Sequence, residues 1–229
     1  MKDHRLTSKI IDNPALRNKA YVFKDRMHAG ELLADELQRH VGHGDILLAL
    51  PAGGVPVGYA IAKRLGIPLD VIIVRKIQIP WNTEAGFGAA AWDGSTVLNN
   101  SLVTELGLTP NQIEESISRT RQIVSERVQK FRGSRPLPNI RDKVVLIIDD
   151  GLASGYTMAV AADSVRNQEP QEVIVAVPTG SVEAVRLVSS KADLLICLNI
   201  RSGPIFAVAD AYEEWYDLTD DEVMRYLHA

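Results

Sequence analysis

The stretch KVVLIIDDGLASGYT, residues 143–157, determines the expected fold of the chain. Its apolar run VVLII is rich in β-branched residues, which is typical of a strand buried on both faces of a parallel sheet. The run ends at two carboxylates, Asp149 and Asp150, and a loop of glycine, serine and threonine follows. Beyond the loop, Met158 and Ala161 begin an apolar stripe at helical spacing. The stretch therefore predicts a strand, an acidic pair, a small-residue loop and a helix, in that order.

This order of elements suits a ligand that carries both a phosphate and a sugar. Small residues let backbone N–H groups converge on an anion, and the N-terminus of the following helix adds partial positive charge. The hydroxyls of Ser154 and Thr157 are further donors. The adjacent carboxylates disfavour a second phosphate, but they can accept hydrogen bonds from a vicinal diol and can bind Mg²⁺. A ribose 5-phosphate group would satisfy both halves of the pattern.

The string VVLIIDDGLASGYTM resembles the PRPP-binding signature of phosphoribosyltransferases with the type I fold, where PRPP is 5-phosphoribosyl 1-pyrophosphate. The resemblance implies that Asp149 and Asp150 hold the ribose hydroxyls and Mg²⁺. It also implies that the loop binds substrate, with the 5′-phosphate held by Ala153, Ser154, Gly155, Tyr156 and Thr157. Gly151 and Leu152 are counted with them as substrate-binding residues. The alternative is that the glycines form a structural turn and that the acidic pair only marks the end of the strand.

An earlier part of the chain repeats the strand, loop and helix pattern. The run GDILLAL, residues 44–50, predicts a buried strand; PAGGVPVG follows, and residues 55–65 predict a helix. The double glycine allows close approach of a backbone to a ligand. By the same resemblance, Ala52, Gly53 and Gly54 bind the pyrophosphate of PRPP. Many relatives have a basic residue at the position of Ala52, so only backbone donors remain here, and a purely structural turn is the alternative.

Two cations follow the next predicted strand, residues 69–74. Arg75 and Lys76 lie at its carboxyl end, where ligands bind in open α/β sheets. They could neutralise the pyrophosphate as its negative charge develops, and we count them with the acidic pair as catalytic candidates. The alternative is ordinary solvated charge at the end of a strand.

The segment after these cations predicts a lid. Residues 77–84 predict a mobile loop, and residues 86–99 predict a hairpin that turns at Asp93 and Gly94. In the resembling family such a hairpin closes over the site and excludes water. Trp81 could belong to the lid or could pack on its own loop.

The remaining elements complete an α/β domain. Residues 23–41 and 109–132 predict amphipathic helices, and the first, FKDRMHAGELLADEL, resembles the opening helix of phosphoribosyltransferases of unassigned substrate. The cations of the second, which include Arg127 and Lys130, predict a solvated face. Strands at 172–177 and 193–199 flank a helix at 181–190. The alternation predicts a mostly parallel sheet with helices on both faces, the type I phosphoribosyltransferase fold.

We expect three parts: an N-terminal arm at residues 1–22, a core at 23–200, and a small C-terminal hood at 201–229 that ends in a helix at 220–228. Aromatic residues are concentrated in the hood. In the resembling family this segment lies near the acceptor site, so Phe206 is a candidate to stack on a nucleobase. The alternative is that the rings anchor the tail to the core.

Composition excludes several classes of function. The net charge of −4 and the isoelectric point of about 5.8 argue against a nucleic-acid-binding surface. No apolar run is long enough to cross a membrane, and we expect a cytoplasmic protein. The single cysteine, Cys197, lies in an apolar strand and predicts a buried thiol. There is no HExxH, CxxC, GxSxG or GxxxxGK[ST] motif.

The sequence thus predicts a Mg²⁺-dependent phosphoribosyltransferase that transfers the phosphoribosyl group of PRPP to a small nitrogen acceptor, in the first place a nucleobase, and works as a homodimer. Ala153 stands where enzymes for 6-oxopurines place a carboxylate, which weighs against a hypoxanthine or guanine substrate. Adenine, orotate, uracil, xanthine or a non-nucleobase acceptor stay open. The alternatives are a catalytically weak regulator that senses PRPP or a nucleotide, and a general phosphate-binding protein or phosphatase.

Overall fold

A computed structural model describes residues 9–203 and 205–229, without the side chains of residues 83 and 84. The first eight residues of the expected arm therefore lie outside the described part. In chain order the elements are β1 Lys9–Ile11, α1 Arg26–His40, β2 Ile46–Ala49, α2 Gly54–Leu65, β3 Leu69–Val71, β4 Val74–Ile79, β5 Asn82–Ala91, β6 Thr96–Leu98, α3 Asn100–Glu105, α4 Pro110–Arg132, β7 Val144–Ile148, α5 Tyr156–Arg166, β8 Glu172–Ser181, α6 Val182–Ser189, β9 Leu194–Arg201 and α7 Asp220–Leu227.

The centre of the domain is a parallel sheet of six strands in the order β1-β9-β8-β7-β2-β3. All five residues of β7 are buried, as the unbroken apolar run VVLII requires of a strand covered on both faces. Helices α1 and α2 pack as one pair, and α5 and α6 as another, so that the two faces of the sheet are covered. The predicted α/β fold with a mostly parallel sheet is confirmed.

The strand order produces a crevice beside β7. From β2 the chain moves outward to β3, whereas from β7 it moves outward through β8 to β9 in the opposite direction. Strands β2 and β7 are nevertheless neighbours, in a register that pairs Ala49 with Ile148 at their carboxyl ends. The loops that leave these two ends diverge, and the crevice between such loops is where ligands bind in open α/β sheets.

A second, antiparallel sheet of three strands, β4-β5-β6, follows β3. The predicted turn at Asp93 and Gly94 is confirmed, since it joins β5 to β6. The predicted loop at residues 77–84 is wrong, because most of it lies in strands β4 and β5, which pair through to Ile79 and Asn82. Buried Ile77 and Ile79 flank exposed Gln78, a period of two that favours a strand. Trp81, at the tip of this hairpin, is 60% exposed.

Several other boundaries differ from the predicted ones. Strand β8 continues to Ser181, past the predicted end at 177, because it keeps pairing with β9. Strand β1, in the expected arm, adds to the sheet edge beside β9. Helix α1 begins three residues later than predicted, since the Asp25 side chain caps it. The capping boxes that begin α4 at Thr109 and α7 at Thr219 confirm the predicted starts of those helices.

Candidate active site

The crevice at the ends of β2 and β7 contains a cleft of about 120 Å³. Residues from four parts of the chain meet there: the loop after β2, the segment from β3 to the start of β4, Asp149 of the acidic pair, and the first turn of α5. Helix α4 contributes a further wall. The cleft is lined by Leu50, Pro51, Ile72, Ile73, Val74, Arg75, Arg127, Asp149 and Thr157. The two loops singled out in the sequence thus belong to one site.

The double glycine after β2 packs directly against the end of β7. A Cβ at Gly54 would lie 2.7 Å from the backbone oxygen of Ile148 and 2.9 Å from Asp149 Cα. A Cβ at Gly53 would overlap the Asp150 carboxylate. The peptide bond between Pro51 and Ala52 is cis, and Ala52 is partly buried. The glycines therefore allow the start of α2 to approach the acidic pair closely.

The loop between β7 and α5 is fixed at one end and open at the other. Leu152 is buried, and its backbone bonds Thr179 and Ser181 of β8. The Ser181 hydroxyl donates to the oxygen of Ala153 at 2.9 Å. Gly155 ends the loop with a φ of +77° and is buried beside Ala184. The left-handed backbone there favours glycine, because other residues are strained in it.

The exposed part of this loop presents backbone donors. The exposed residues are Ala153, Ser154, Tyr156 and Thr157. Among the described residues, no protein acceptor bonds the backbone N–H groups of residues 154–157. They precede and begin α5, a helix of 11 residues whose N-terminal partial charge is positive. This end of the site can bind an anion such as a phosphate. Gly151, at the start of the loop, packs against the Val208 side chain.

The acidic pair is partly buried and electrostatically unfavourable. Burial, and then the charge of Asp150, raise the pKa of Asp149 well above its usual range. Burial also raises the pKa of Asp150, against the opposing effect of Arg26. The Asp149 carboxylate accepts the N–H of Asp150 at 2.9 Å and lines the cleft. Ligand groups that donate hydrogen bonds or carry positive charge would relieve this repulsion.

Arg26 is the main partner of Asp150, and the sequence analysis missed it. Its Nε donates to Asp150 Oδ2 at 2.9 Å, and another nitrogen donates to the backbone oxygen of Tyr216 at 2.9 Å. Its guanidinium also lies 3.8 Å from the ring centroid of Trp215. A signal was present, because Arg26 occupies the helical register of the buried stripe that continues through Ala29 and Leu33. An arginine in an apolar stripe requires a buried partner.

The aromatic residues of the hood surround this ion pair. Tyr212 is buried, donates its hydroxyl to the backbone oxygen of Asp150 at 2.6 Å, and packs on Phe23 and Trp215 with centroids 5.6 and 5.2 Å away. These rings anchor the tail to the core, which is the alternative stated above for the hood. Phe206 instead lies 5.3 Å from the guanidinium carbon of Arg201 and is not among the described residues that line the cleft.

The predicted basic pair divides between two sides of β4. Arg75 lines the cleft, whereas Lys76 lies over Gly86 of β5 and is not among the described lining residues. Successive side chains of a strand point to opposite faces, which explains the division. Partial burial, and then the charge of Arg127, lower the pKa of Arg75, while Asp220 opposes the shift.

The described residues also bear on the metal and membrane predictions. Among the side chains that the structure describes, no group of three or more His, Cys, Asp or Glu could hold a metal ion. No helix in the described part of the chain is both long and apolar enough to cross a membrane. Cys197 is buried as predicted, and burial raises the pKa of its thiol.

Comparison with known proteins assigns the family. The model of the phosphoribosyl transferase domain matches residues 25–201, which include both loops and the acidic pair. The chain belongs to the phosphoribosyl transferase family. The resemblance drawn from residues 143–157 is thereby confirmed, and the family classes this domain as a transferase.

Relatives of this phosphoribosyl transferase domain occur in Mycobacterium tuberculosis and Thermus thermophilus. Two Mycobacterium tuberculosis proteins, from strains CDC 1551 and H37Rv, are each named “Putative phosphoribosyl transferase” and are 35% identical over 207 residues, which is 90% of this chain. The chain spans about half of their length, 46%. The crystal structure of the protein TT1426 from Thermus thermophilus is similar, with a TM-score of 0.77 and 34% identity over 90% of this chain and 97% of that one.

Proposed function

We propose that this domain binds PRPP with Mg²⁺ in the cleft and transfers the 5-phosphoribosyl group to a small nitrogen acceptor, with release of pyrophosphate. The observation that carries the proposal is the meeting of Asp149, the N-terminal end of α5 and Arg75 in one cleft at the carboxyl ends of the strands. A substrate with a phosphate, a diol and a pyrophosphate matches these three features in kind. The family supports a PRPP-using transferase.

Each part of PRPP has a proposed partner. The 5′-phosphate would accept hydrogen bonds from the N–H groups of residues 154–157 and the hydroxyls of Ser154 and Thr157. The ribose hydroxyls would donate to Asp149 and Asp150. The pyrophosphate would lie toward Arg75 and the backbone of residues 51–54. Ala52 supplies no cation there, so Arg75 would provide much of the neutralising charge.

The chemistry of the donor set fits Mg²⁺. Magnesium in nucleotide-type sites is held by one or two carboxylates, and substrate phosphates and waters supply the other ligands. Asp149 lines the cleft and has a raised pKa, so a cation beside it would stabilise its charged form. Asp149 and Asp150 are the residues that would hold the ion. Bound there, Mg²⁺ would neutralise part of the pyrophosphate charge.

The proposed reaction is a displacement at ribose C1. The bond from C1 to the pyrophosphate oxygen breaks, the bond from C1 to the acceptor nitrogen forms, and the proton of that nitrogen leaves to solvent. The residues contribute chiefly by position and charge. The anion loop and the acidic pair would fix the ribose phosphate, and Arg75 would stabilise the negative charge that develops on the leaving oxygen.

The acceptor is constrained only in part. Ala153 is exposed in the loop and carries no group that could exchange a proton with a base. We therefore propose an acceptor other than hypoxanthine or guanine, with a nucleobase as the first class to test. A homodimer and a role in nucleotide metabolism stay predictions.

One observation favours the alternative of a PRPP-sensing regulator. The carboxylate of Asp150 already binds Arg26, and Ala52 lacks the cation that many relatives place in the pyrophosphate loop. Such a protein would bind PRPP but turn it over slowly. We rank a phosphatase last, because Thr157, the only hydroxyl side chain among the described residues that line the cleft, makes no described hydrogen bond to a carboxylate or imidazole that could activate it.

The test is release of pyrophosphate from Mg²⁺–PRPP in the presence of adenine, orotate, uracil, xanthine, hypoxanthine or guanine. We expect release with at least one acceptor outside the last two, and a loss of at least about tenfold in Asp150→Asn. Asp163→Asn is the matched control, because Asp163 pairs with Lys191 away from the cleft. PRPP binding without release for any acceptor would favour the regulator.

A further inference from the structure

Arg127, in the C-terminal third of α4, is a cation in the cleft that the sequence analysis assigned to a solvated helix face. The helix packs against β4 and β5, and this packing brings the Arg127 side chain to the wall of the cleft that also carries Arg75. Its neighbours in sequence do not share this position: Arg121 and Lys130 are exposed and are not among the described lining residues. Arg127 itself is only 24% exposed.

A carboxylate from the hood pairs with Arg127. Arg127 donates to Asp220 Oδ1 at 3.3 Å, while Lys130 donates to Asp220 Oδ2 at 2.7 Å. Asp220 is the first residue of α7, so the bridge joins α4 to the hood. One carboxylate therefore serves two cations of α4, and a third cation, Arg75, faces the same cleft. Among the described side chains, Arg75 and Arg127 therefore face the cleft with only one carboxylate between them, which Lys130 shares, so this wall of the site carries net positive charge.

The charge of Arg127 also acts on Arg75, whose pKa it helps to lower. Two guanidinium groups that repel each other on one wall of a cleft are stabilised by an anion that contacts both. Guanidinium groups bind phosphate oxygens through paired N–H donors, and a pyrophosphate offers oxygens on two phosphorus atoms. The wall with Arg75 and Arg127 therefore suits a pyrophosphate better than a single phosphate or a sugar.

We propose that Arg127 binds the pyrophosphate of PRPP from helix α4, and that Asp220 is the counter-ion of Arg127 until the ligand competes for it. The inference rests on the proposed function and adds a residue to it. Arg127 supplies the side-chain cation that the loop after β2 lacks, since Ala52 stands there. The ligand anion replaces part of the interaction with Asp220, which keeps Lys130 as a partner.

A purely structural role for Arg127 predicts different results. If the arginine served only to fasten α7 to α4, removing either partner of the bridge would have the same effect on stability and on ligand binding. If it binds pyrophosphate, removing the arginine weakens binding, whereas removing Asp220 frees the cation and does not. The two variants Arg127→Gln and Asp220→Asn therefore separate the roles.

The experiment is calorimetric titration of the full chain with three Mg²⁺-containing ligands: PRPP, pyrophosphate and ribose 5-phosphate. We expect Arg127→Gln to weaken the binding of PRPP and pyrophosphate about ten- to a hundredfold, the range for a lost charged hydrogen bond. Ribose 5-phosphate, which lacks the pyrophosphate, should bind to Arg127→Gln as tightly as it binds to wild type. Asp220→Asn should bind PRPP as tightly as wild type or more tightly.

Arg121→Gln is the matched control, because it removes a cation of α4 that does not line the cleft. This variant should bind all three ligands as wild type does. Arg127→Lys serves if the glutamine variant does not fold, and it should also lose affinity for pyrophosphate, since a single ammonium lacks paired donors.

Two results overturn the assignment while leaving the proposed function intact: unchanged pyrophosphate binding in Arg127→Gln, or equal weakening in Arg127→Gln and Asp220→Asn. Failure of wild type to bind PRPP or pyrophosphate at all would instead overturn the proposed function, and the assignment with it.

Discussion

Replacing Arg26 by glutamine should destabilise the domain far more than the same change at Arg39 of the same helix. The Arg26 side chain is 8% exposed and pairs with Asp150, whose side chain is 14% exposed. Arg39 is 66% exposed and pairs with Glu36. The two substitutions remove the same chemical group from an ion pair, so the comparison contrasts the buried surroundings of Arg26, which include Tyr216 and Trp215, with an exposed pair on the same helix.

The magnitude follows from what the substitution leaves behind. Breaking a buried ion pair by removing one partner costs about 3–5 kcal/mol, because the remaining charge is buried without compensation. Asp150 can take up a proton to limit this cost, so we expect about 3 kcal/mol at neutral pH. For Arg39 we expect at most about 0.5 kcal/mol. The first value corresponds to a fall in Tm of roughly 6–12 °C for a domain of this size.

The cost should depend on pH. In wild type burial already raises the pKa of Asp150 against the opposing Arg26, and without the guanidinium this pKa rises further. When folding raises the pKa of an acid, the free energy of unfolding falls as the pH rises from the pKa of the unfolded state, near 3.9, to the higher pKa of the folded state. The deficit of Arg26→Gln should therefore be small at about pH 4 and should grow toward neutral pH.

Urea denaturation of wild type, Arg26→Gln and Arg39→Gln at pH 4 and pH 7.5 measures both effects. Asp150→Asn added to Arg26→Gln should restore part of the lost stability at pH 7.5, because it removes the uncompensated charge. Equal costs for the two arginine substitutions, or an Arg26 deficit that does not change with pH, would refute the reasoning.

Three further perturbations have expected outcomes. Gly155→Ala should lower the free energy of unfolding by about 1–2 kcal/mol in urea, since φ there is +77° and the new Cβ would lie 3.0 Å from the oxygen of Ala184; a neutral result would contradict the strain argument. Tyr212→Phe should cost about 1–2 kcal/mol by thermal denaturation, because the backbone oxygen of Asp150 loses its 2.6 Å hydrogen bond; an unchanged Tm would argue against that bond. Cys197 should react with a thiol reagent far more slowly in the native protein than in urea, because it is buried and its pKa is raised; rapid native labelling would contradict its position in the core.

Local pattern was enough for the elements that build the cleft. The apolar run before Asp149 and the small residues after Asp150 specify a strand and a helix start without help from distant residues. The same holds for the glycines after β2. The loop predicted at residues 77–84 failed because its apolar alternation is only three residues long and lies next to a proline–tryptophan turn. Short runs of that kind become strands only through their partners.

The residues that were missed are positioned by tertiary contacts. Arg26 meets Asp150 across 124 positions of sequence, and Arg127 meets Asp220 across 93. Nothing in the neighbourhood of either arginine indicates the partner, although the place of Arg26 in an apolar stripe indicates that one is needed. Arg127 lies in a helix with many exposed charges, and the sequence does not distinguish it from them. Among the described residues that line the cleft, it is the cation that α4 contributes. Lys76 was grouped with Arg75 because the two residues are adjacent in sequence. In a strand, however, adjacent side chains point to opposite faces.

The central claim is that the cleft between the ends of β2 and β7 is a PRPP site, and calorimetric titration of Mg²⁺–PRPP tests it most directly. The samples are wild type, Asp149→Asn and the control Asp163→Asn. The account predicts binding to wild type and to the control, with a loss of about tenfold or more in Asp149→Asn. Absence of binding by wild type, or equal affinity in all three proteins, would contradict it.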